Sequence, residues 1–121
     1  MQAKTVMVVE DSATDMHFLS GILAGGGYHV IPAHSGEEAL EKMKAERPDL
    51  VLMDVVMPGM SGFQTVRHLA RNETTRGIPV IFCTSKHQES DRVWGLRQGA
   101  RDYLVKPINA KQLLERVGAF A

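Results

Sequence analysis

The sequence predicts an α/β fold, a doubly wound five-stranded parallel sheet with five helices packed on its two faces. Short segments of continuous hydrophobicity alternate with amphipathic segments along the chain, and strands that are covered on both faces have this composition. Five segments of each kind imply alternating strands and helices, joined by right-handed crossovers. We expect the strand order 2-1-3-4-5, the usual one for so short a chain.

The predicted strands are five short apolar segments, several of them rich in the β-branched and aromatic residues that strands favour. They cover residues 6–9, 29–31, 50–53, 80–83 and 103–105.

Capping side chains mark the starts of four predicted helices. Each cap and the residue three positions later are Ser12 with Asp15, Ser35 with Glu38, Ser61 with Gln64, and Asn109 with Gln112. We expect full capping boxes at Ser35 and Ser61. The remaining helix is expected over about residues 88–98, with Val93 and Leu96 on its inner side. The expected ends of the first, second and fourth helices are the glycine run 25–27, Pro48 and Gly99.

Composition narrows the class of protein. The 121 residues suit one domain spanning 1–121 with no output domain. Basic and acidic residues number 14 each, so charge gives no reason to expect binding to nucleic acid or to a membrane. The single cysteine, Cys83, excludes an intrachain disulfide. The apolar segments are too short to span a bilayer, and the N-terminus leaves no room for a signal peptide, so we expect a cytoplasmic protein.

Polar side chains follow the predicted strands at the edge where this architecture places its functional sites. They are Glu10 and Asp11 after the first strand, Asp54 after the third, Thr84 at the end of the fourth, and Lys106 after the fifth. The first and third strands are expected to be neighbours about 4.8 Å apart. The three acids should therefore lie close to one another and to a lysine and a hydroxyl.

Acids this close need a partner, because two carboxylates about 4 Å apart repel each other by roughly 4 kcal/mol at an effective dielectric near 20. They can take up protons or bind a cation, and carboxylate oxygens suit magnesium. We predict Mg²⁺, or another divalent cation, bound by Asp11, Asp54 and the backbone carbonyl of Val56. Glu10, with its longer side chain, is expected to act through water.

This set of groups suits phosphoryl transfer to a carboxylate. Asp54 would be the nucleophile, while the metal, Lys106 and Thr84 would neutralise or bind the transferring group. The resulting acyl phosphate is hydrolysable, so we expect self-catalysed transfer and autodephosphorylation only, without enzymatic turnover of a metabolite. Thr84 could follow the phosphoryl group and bias a two-state loop.

These residues, the run Asp54-Val-Val-Met-Pro-Gly-Met-Ser-Gly62 and Lys106-Pro107 stand at the spacings of response-regulator receiver domains, which the whole chain resembles. This CheY-like resemblance implies a flavodoxin-like fold and magnesium. It also implies phosphate transfer to Asp54 from a histidine kinase or phosphotransfer domain, a switch formed by Thr84 and Tyr103, and a cis bond before Pro107. Many members have Asp where this chain has Glu10.

Residues 84–103 resemble single-domain regulators of type IV pilus twitching motility, the PilH type. That resemblance implies a role in a chemotaxis-like pathway. We expect the output surface to lie on the fourth helix, fifth strand and fifth helix, where it would be recognised by a downstream protein. Trp94 is either core packing or an exposed anchor for that partner. Arg97 and Arg101 are either a solvated face or contacts to an acidic partner.

Three alternatives stay open. The chain could be a phosphate sink in the same pathway. It could be a small aspartate-nucleophile phosphohydrolase, although such enzymes typically carry a second acid where this chain has Val56. A flavin or nucleotide binder on the same fold is the third, although Glu10 and Asp11 would repel a phosphate unless a metal intervened.

Overall fold

The computed structural model describes residues 4–121. The expectation that the N-terminus has no room for a signal peptide rests in part on residues 1–3, which lie outside the described residues. Among the helices within 4–121, none is both long and apolar enough to cross a membrane.

Strands and helices alternate in the described chain, as the hydrophobic pattern predicts. In chain order they are β1 (Thr5–Val9), α1 (Ala13–Gly25), β2 (His29–Ala33), α2 (Gly36–Ala45), β3 (Leu50–Met53), α3 (Gly62–Arg71), β4 (Val80–Thr84), α4 (Glu89–Arg97), β5 (Asp102–Val105) and α5 (Ala110–Phe120). All pairings are parallel and the strand order is β2-β1-β3-β4-β5. The predicted fold class and strand order are confirmed.

Two apolar layers, one on each face of the sheet, form the core. Successive residues of a strand point to opposite faces, so Met7 and Val9 pack in one layer and Val6 and Val8 in the other. Helices α2 and α3 contribute to the first layer, and α1 and α5 to the second. Burial of each large apolar side chain contributes roughly 1.5–3 kcal/mol, which holds the central strands, and the acids that follow them, in place.

β2 is longer than predicted, because it runs through Pro32 to Ala33 rather than ending at Ile31. Proline lacks a backbone N–H and is tolerated in a strand only at the edge of a sheet. β2 is an edge strand paired only with β1. The carbonyl of Pro32 accepts a hydrogen bond from Lys42 Nζ.

The helix starts agree with the predicted caps, with one correction. Ser61 and Gln64 form the predicted capping box. At α2, the Ser35 side chain accepts from the Glu38 backbone N–H at 3.0 Å, but the return bond of a capping box is absent among the described contacts. Glu38 Oε2 instead accepts from the backbone N–H of His34 at 2.7 Å and lies 3.1 Å from the His34 ring. The full capping box predicted at Ser35 was therefore wrong.

α4 packs differently from the prediction. Its buried residue is Gly95, whereas Val93 and Leu96 are only half-buried. A methyl group on Gly95 would lie 3.1 Å from the Tyr103 ring, so the helix reaches the sheet through the residue that has no side chain. Trp94 points away and is 48% exposed. This exposure excludes core packing for Trp94.

Candidate functional site

The ends of β1 and β3 bring the predicted acids together. Val9 and Met53 are paired across the two strands, so the residues that follow them leave the sheet side by side. The Asp54 backbone N–H donates to the Val9 carbonyl at 3.0 Å, and the Glu10 N–H donates to the Ala33 carbonyl at 2.9 Å. Backbone hydrogen bonds therefore fix both acids at the sheet edge, where Glu10 is 1% exposed and Asp54 7% exposed.

Lys106 lies at the centre of this acidic edge. Its backbone N–H donates to the Thr84 carbonyl at 2.8 Å, which continues the β4–β5 pairing by one residue. Its Nζ lies 3.0 Å from Asp54 Oδ2, 3.0 Å from Glu10 Oε2 and 2.8 Å from Asp15 Oδ2. An ammonium group has three N–H donors and no acceptor, so all three donors are used.

The charges at the edge shift two pKa values. Burial raises the pKa of Glu10 to about 7, against the opposing hydrogen bonds from Lys106 and the Ser12 backbone N–H, and the charge of Asp54 adds to the rise. Burial also works against the charged form of Lys106, but the hydrogen bonds to Asp15, Glu10 and Asp54 outweigh it and raise the pKa of Lys106. Lys106 is therefore cationic, whereas Glu10, the most buried of these acids, has a pKa close to neutral pH.

Three carboxylates at this edge could hold a metal ion. One oxygen from each of Glu10, Asp11 and Asp54 lies within 4.8 Å of the other two. A set of carboxylate oxygens suits a hard divalent cation such as Mg²⁺, and the excess of acid over base favours one electrostatically. The Val56 N–H donates to Asp54 Oδ1 at 3.2 Å, so the Asp54 side chain also binds the backbone at the start of the loop after β3. Ligation by the Val56 carbonyl and the water-mediated role of Glu10 stay predictions.

The close approach of α3 to Asp54 depends on Gly62. A Cβ at this position would lie 2.3 Å from the Asp54 carbonyl oxygen and 2.9 Å from Val55 Cα. Only glycine allows the helix to begin so close to the acid. Gly59, in the same loop, has a φ of +74°, a left-handed conformation that glycine adopts at low cost.

Thr84 and Tyr103 both bind the backbone of Lys86. Thr84 is fully buried, and its Oγ1 accepts from the Lys86 N–H at 3.3 Å. The Tyr103 hydroxyl donates to the Lys86 carbonyl at 2.9 Å, while its ring packs edge-on against Phe82. Burial, followed by the charges of Asp91 and Asp54, raises the pKa of Tyr103 to about 12. The loop after β4 therefore connects the two residues predicted to form a switch.

The remaining predicted residues lie away from the acids. Trp94 and Arg97 are exposed on α4, and Arg101 is exposed just before β5. Val105 on β5 is a further exposed apolar residue, at 42%. The peptide bond between Lys106 and Pro107 is cis, as the family resemblance implies.

Sequence reasoning did not identify Asp15 as part of the site. It was assigned only to the start of the first helix, where acids are common for helical reasons alone. Helical spacing offered no signal for it, because Asp11 precedes the N-cap Ser12 and lies outside α1.

Comparison with known proteins gives consistent results. The family model for the response regulator receiver domain matches residues 6–118. The chain is 46% identical over 114 residues to Protein PilH from Pseudomonas aeruginosa, and the match covers 94% of each chain. Several further relatives are transcriptional regulatory proteins of which this chain spans about half the length.

Two solved structures extend the comparison. The chemotaxis protein CheY4 of Vibrio cholerae superimposes with a TM-score of 0.92 at 31% identity, covering 98% of this chain and 99% of that one. The receiver domain of the sensor histidine kinase PA1611 from Pseudomonas aeruginosa has a magnesium ion coordinated in its active site cleft. It superimposes with a TM-score of 0.90 at 27% identity, covering 98% of this chain and 97% of that one.

Proposed function

The chain belongs to the response regulator receiver domain family, and we propose that Asp54 is the residue that accepts a phosphoryl group from a histidine kinase or phosphotransfer domain. The observation that carries this proposal is the 3.0 Å contact between Lys106 Nζ and Asp54 Oδ2, beside the oxygens of Glu10 and Asp11. A nearly buried carboxylate paired with an ammonium and flanked by further acids suits a nucleophile that attacks phosphorus next to a divalent cation.

We propose that Asp11, Asp54 and the Val56 carbonyl hold Mg²⁺, with Glu10 acting through water. When bound, the ion supplies positive charge that offsets the acids and the incoming phosphoryl oxygens. An Asp54 carboxylate oxygen forms a bond to phosphorus as the bond from phosphorus to the donor nitrogen breaks, and that nitrogen keeps the electron pair. Lys106 then turns an N–H from Asp54 to a phosphoryl oxygen. Attack by water on phosphorus returns Asp54 and inorganic phosphate.

The contacts of Lys86 support a switch formed by Thr84 and Tyr103. A phosphoryl oxygen offers the Thr84 hydroxyl a new acceptor, and movement of Thr84 pulls the backbone that also holds the Tyr103 hydroxyl. Tyr103 packs against α4 through Gly95. We propose that the resulting change appears on the face of α4, β5 and α5, where the exposed residues Trp94, Arg97 and Arg101 meet a downstream protein.

The similarity to PilH over nearly its whole length supports a pathway assignment. We propose that this receiver domain works in a chemotaxis-like pathway that controls type IV pilus twitching motility. Its location in the cytoplasm stays a prediction. Action as a phosphate sink uses the same chemistry at Asp54 and differs only in having no downstream target.

Incubation with acetyl phosphate and Mg²⁺, followed by intact mass measurement, tests the proposal. We expect one added phosphoryl group, which is absent after chelation of the metal and absent in Asp54→Asn. The matched control is Asp49→Asn, an acid at the opposite end of the same strand whose carboxylate accepts from the Thr5 N–H; it should take up phosphate normally. A full adduct in Asp54→Asn would show that another residue is the nucleophile.

The same protein distinguishes the phosphohydrolase alternative. Repeated turnover of a phosphate monoester by the wild type, abolished in Asp54→Asn, would establish an enzyme in place of a signalling receiver. Single, stoichiometric modification without turnover supports the receiver function.

A further inference from the structure

Asp15 makes the shortest of the three contacts to the Lys106 ammonium, 2.8 Å compared with 3.0 Å for both Glu10 and Asp54. It is the only one of the three that comes from a helix, since it lies in the first turn of α1. Its side chain is 40% exposed, whereas those of Glu10 and Asp54 are 2% and 8% exposed. Asp15 therefore binds the lysine from the solvent side.

This contact is not the ordinary arrangement of an acid at a helix start. The acid three residues after an N-cap commonly accepts from the backbone N–H of the cap. Asp91 does so in α4, where its Oδ2 accepts from the Gln88 N–H at 3.3 Å. In α1 the corresponding N–H, that of Ser12, donates to Glu10 Oε1 at 3.1 Å. The Asp15 carboxylate is left to bind Lys106.

The three donors of Lys106 are thus fully used before any phosphoryl group arrives. A phosphoryl group on Asp54 brings new anionic oxygens within reach of the ammonium, so at least one existing contact must be given up. The bond to Asp54 is released most easily, because its carboxylate becomes part of an acyl phosphate, a mixed anhydride, and loses its charge. Asp15 keeps its full charge and continues to hold Lys106 on the α1 side, away from β3.

We propose that Asp15 is a positioning residue that competes with the phosphoryl group for the Lys106 ammonium and so weakens the phosphorylated state of the receiver. The proposal rests on the proposed function of Asp54. It deepens that function, because it makes a residue of α1 a determinant of how strongly the site retains a phosphoryl group.

The test measures the affinity of beryllium trifluoride, a stable phosphoryl analogue, at saturating Mg²⁺, by ¹⁹F NMR of the bound probe. Asp15→Asn keeps the shape of the side chain and removes the charge, so it should tighten binding about three- to tenfold, as expected for loss of one partly exposed charged hydrogen bond. Asp15→Glu keeps the charge within reach of Lys106 and should restore the wild-type affinity. The charge-matched control is Glu41→Gln on α2, a side chain that is 75% exposed, and it should leave the affinity unchanged.

A double-mutant cycle with Lys106→Ala separates competition from a direct field effect. Competition predicts that the gain from Asp15→Asn shrinks by at least half when Lys106 is absent. An equal gain in the two backgrounds, or no gain in Asp15→Asn beyond that of Glu41→Gln, overturns the competition while the analogue still binds. A wild-type protein that binds no analogue and takes up no phosphoryl group overturns the proposed function, and the role of Asp15 with it.

Discussion

Replacing Glu10 with glutamine should stabilise the metal-free protein above pH 7 and leave its stability unchanged near pH 4.5. Burial raises the pKa of Glu10 from its ordinary 4.5 to about 7. The folded state therefore retains a proton that the unfolded chain has released between these two values. Stability from this group is complete below about pH 4.5 and is lost as the pH rises through about 7.

The size of the effect follows from the same two values. The difference between 4.5 and about 7 corresponds to at most about 3.5 kcal/mol of unfolding free energy at about 1.4 kcal/mol per pKa unit. Glutamine resembles the protonated acid in size and in offering a single carbonyl acceptor, so it does not carry this penalty at high pH.

Urea unfolding of wild type and Glu10→Gln in a chelator, at steps between pH 4.5 and 8, measures the difference directly. The two proteins should match at the acid end and separate by up to about 3.5 kcal/mol at the basic end. Added Mg²⁺ should narrow the gap at pH 8, because the ion favours ionised Glu10. Glu41→Gln, at a side chain 75% exposed, is the control and should show no such trend. If the difference in unfolding free energy between the wild type and Glu10→Gln stays constant with pH, the assignment of a raised pKa to Glu10 is refuted.

Two further substitutions test the packing around the site. Gly62→Ala places a methyl 2.3 Å from the Asp54 carbonyl oxygen, so it should lower the free energy of unfolding by roughly 1–3 kcal/mol and reduce phosphoryl uptake in the mass assay. The control is Gly21→Ala, whose methyl would meet nothing within 4 Å; it should instead stabilise the helix by about 0.5–1 kcal/mol. An equal loss of unfolding free energy in both variants would contradict the steric argument. Tyr103→Phe removes the 2.9 Å bond to the Lys86 carbonyl and should cost about 1 kcal/mol in urea unfolding; an unchanged midpoint would show that this hydroxyl does not hold the loop.

The topology and the acidic edge could be predicted because each depends on a regular feature of the chain. Continuous hydrophobicity identifies buried parallel strands, and parallel strands present their carboxyl ends at one edge of the sheet. Glu10, Asp54 and Lys106 each directly follow a strand, so their positions in the sequence predict that they lie together. The distances in the structure, 3.0 Å from the lysine to each acid, follow from that register.

The features that were missed depend on choices between competing hydrogen-bond partners. Glu38 could bind the backbone of Ser35 or that of His34, and spacing alone does not distinguish them. Asp15 could likewise bind the backbone N–H of the helix cap or the ammonium of Lys106, and only the position of Lys106 in space decides between these partners. In α4 the apolar pattern indicated Val93 and Leu96, but the aromatic residues beneath the helix favour close contact through a glycine.

The site holds more acidic than basic side chains, and the resulting negative charge governs its chemistry. When all are ionised, the four carboxylates of Glu10, Asp11, Asp15 and Asp54 against the one ammonium of Lys106 leave a formal charge of −3. A phosphoryl donor is itself anionic, so it is repelled until a divalent cation or a proton on Glu10 lowers that charge. Removing the charge of Asp15 alone changes the formal charge of the site from −3 to −2 and also releases one N–H donor of Lys106. Asp15 is therefore the acid at which substitution can strengthen phosphoryl retention without removing the nucleophile or a proposed metal ligand.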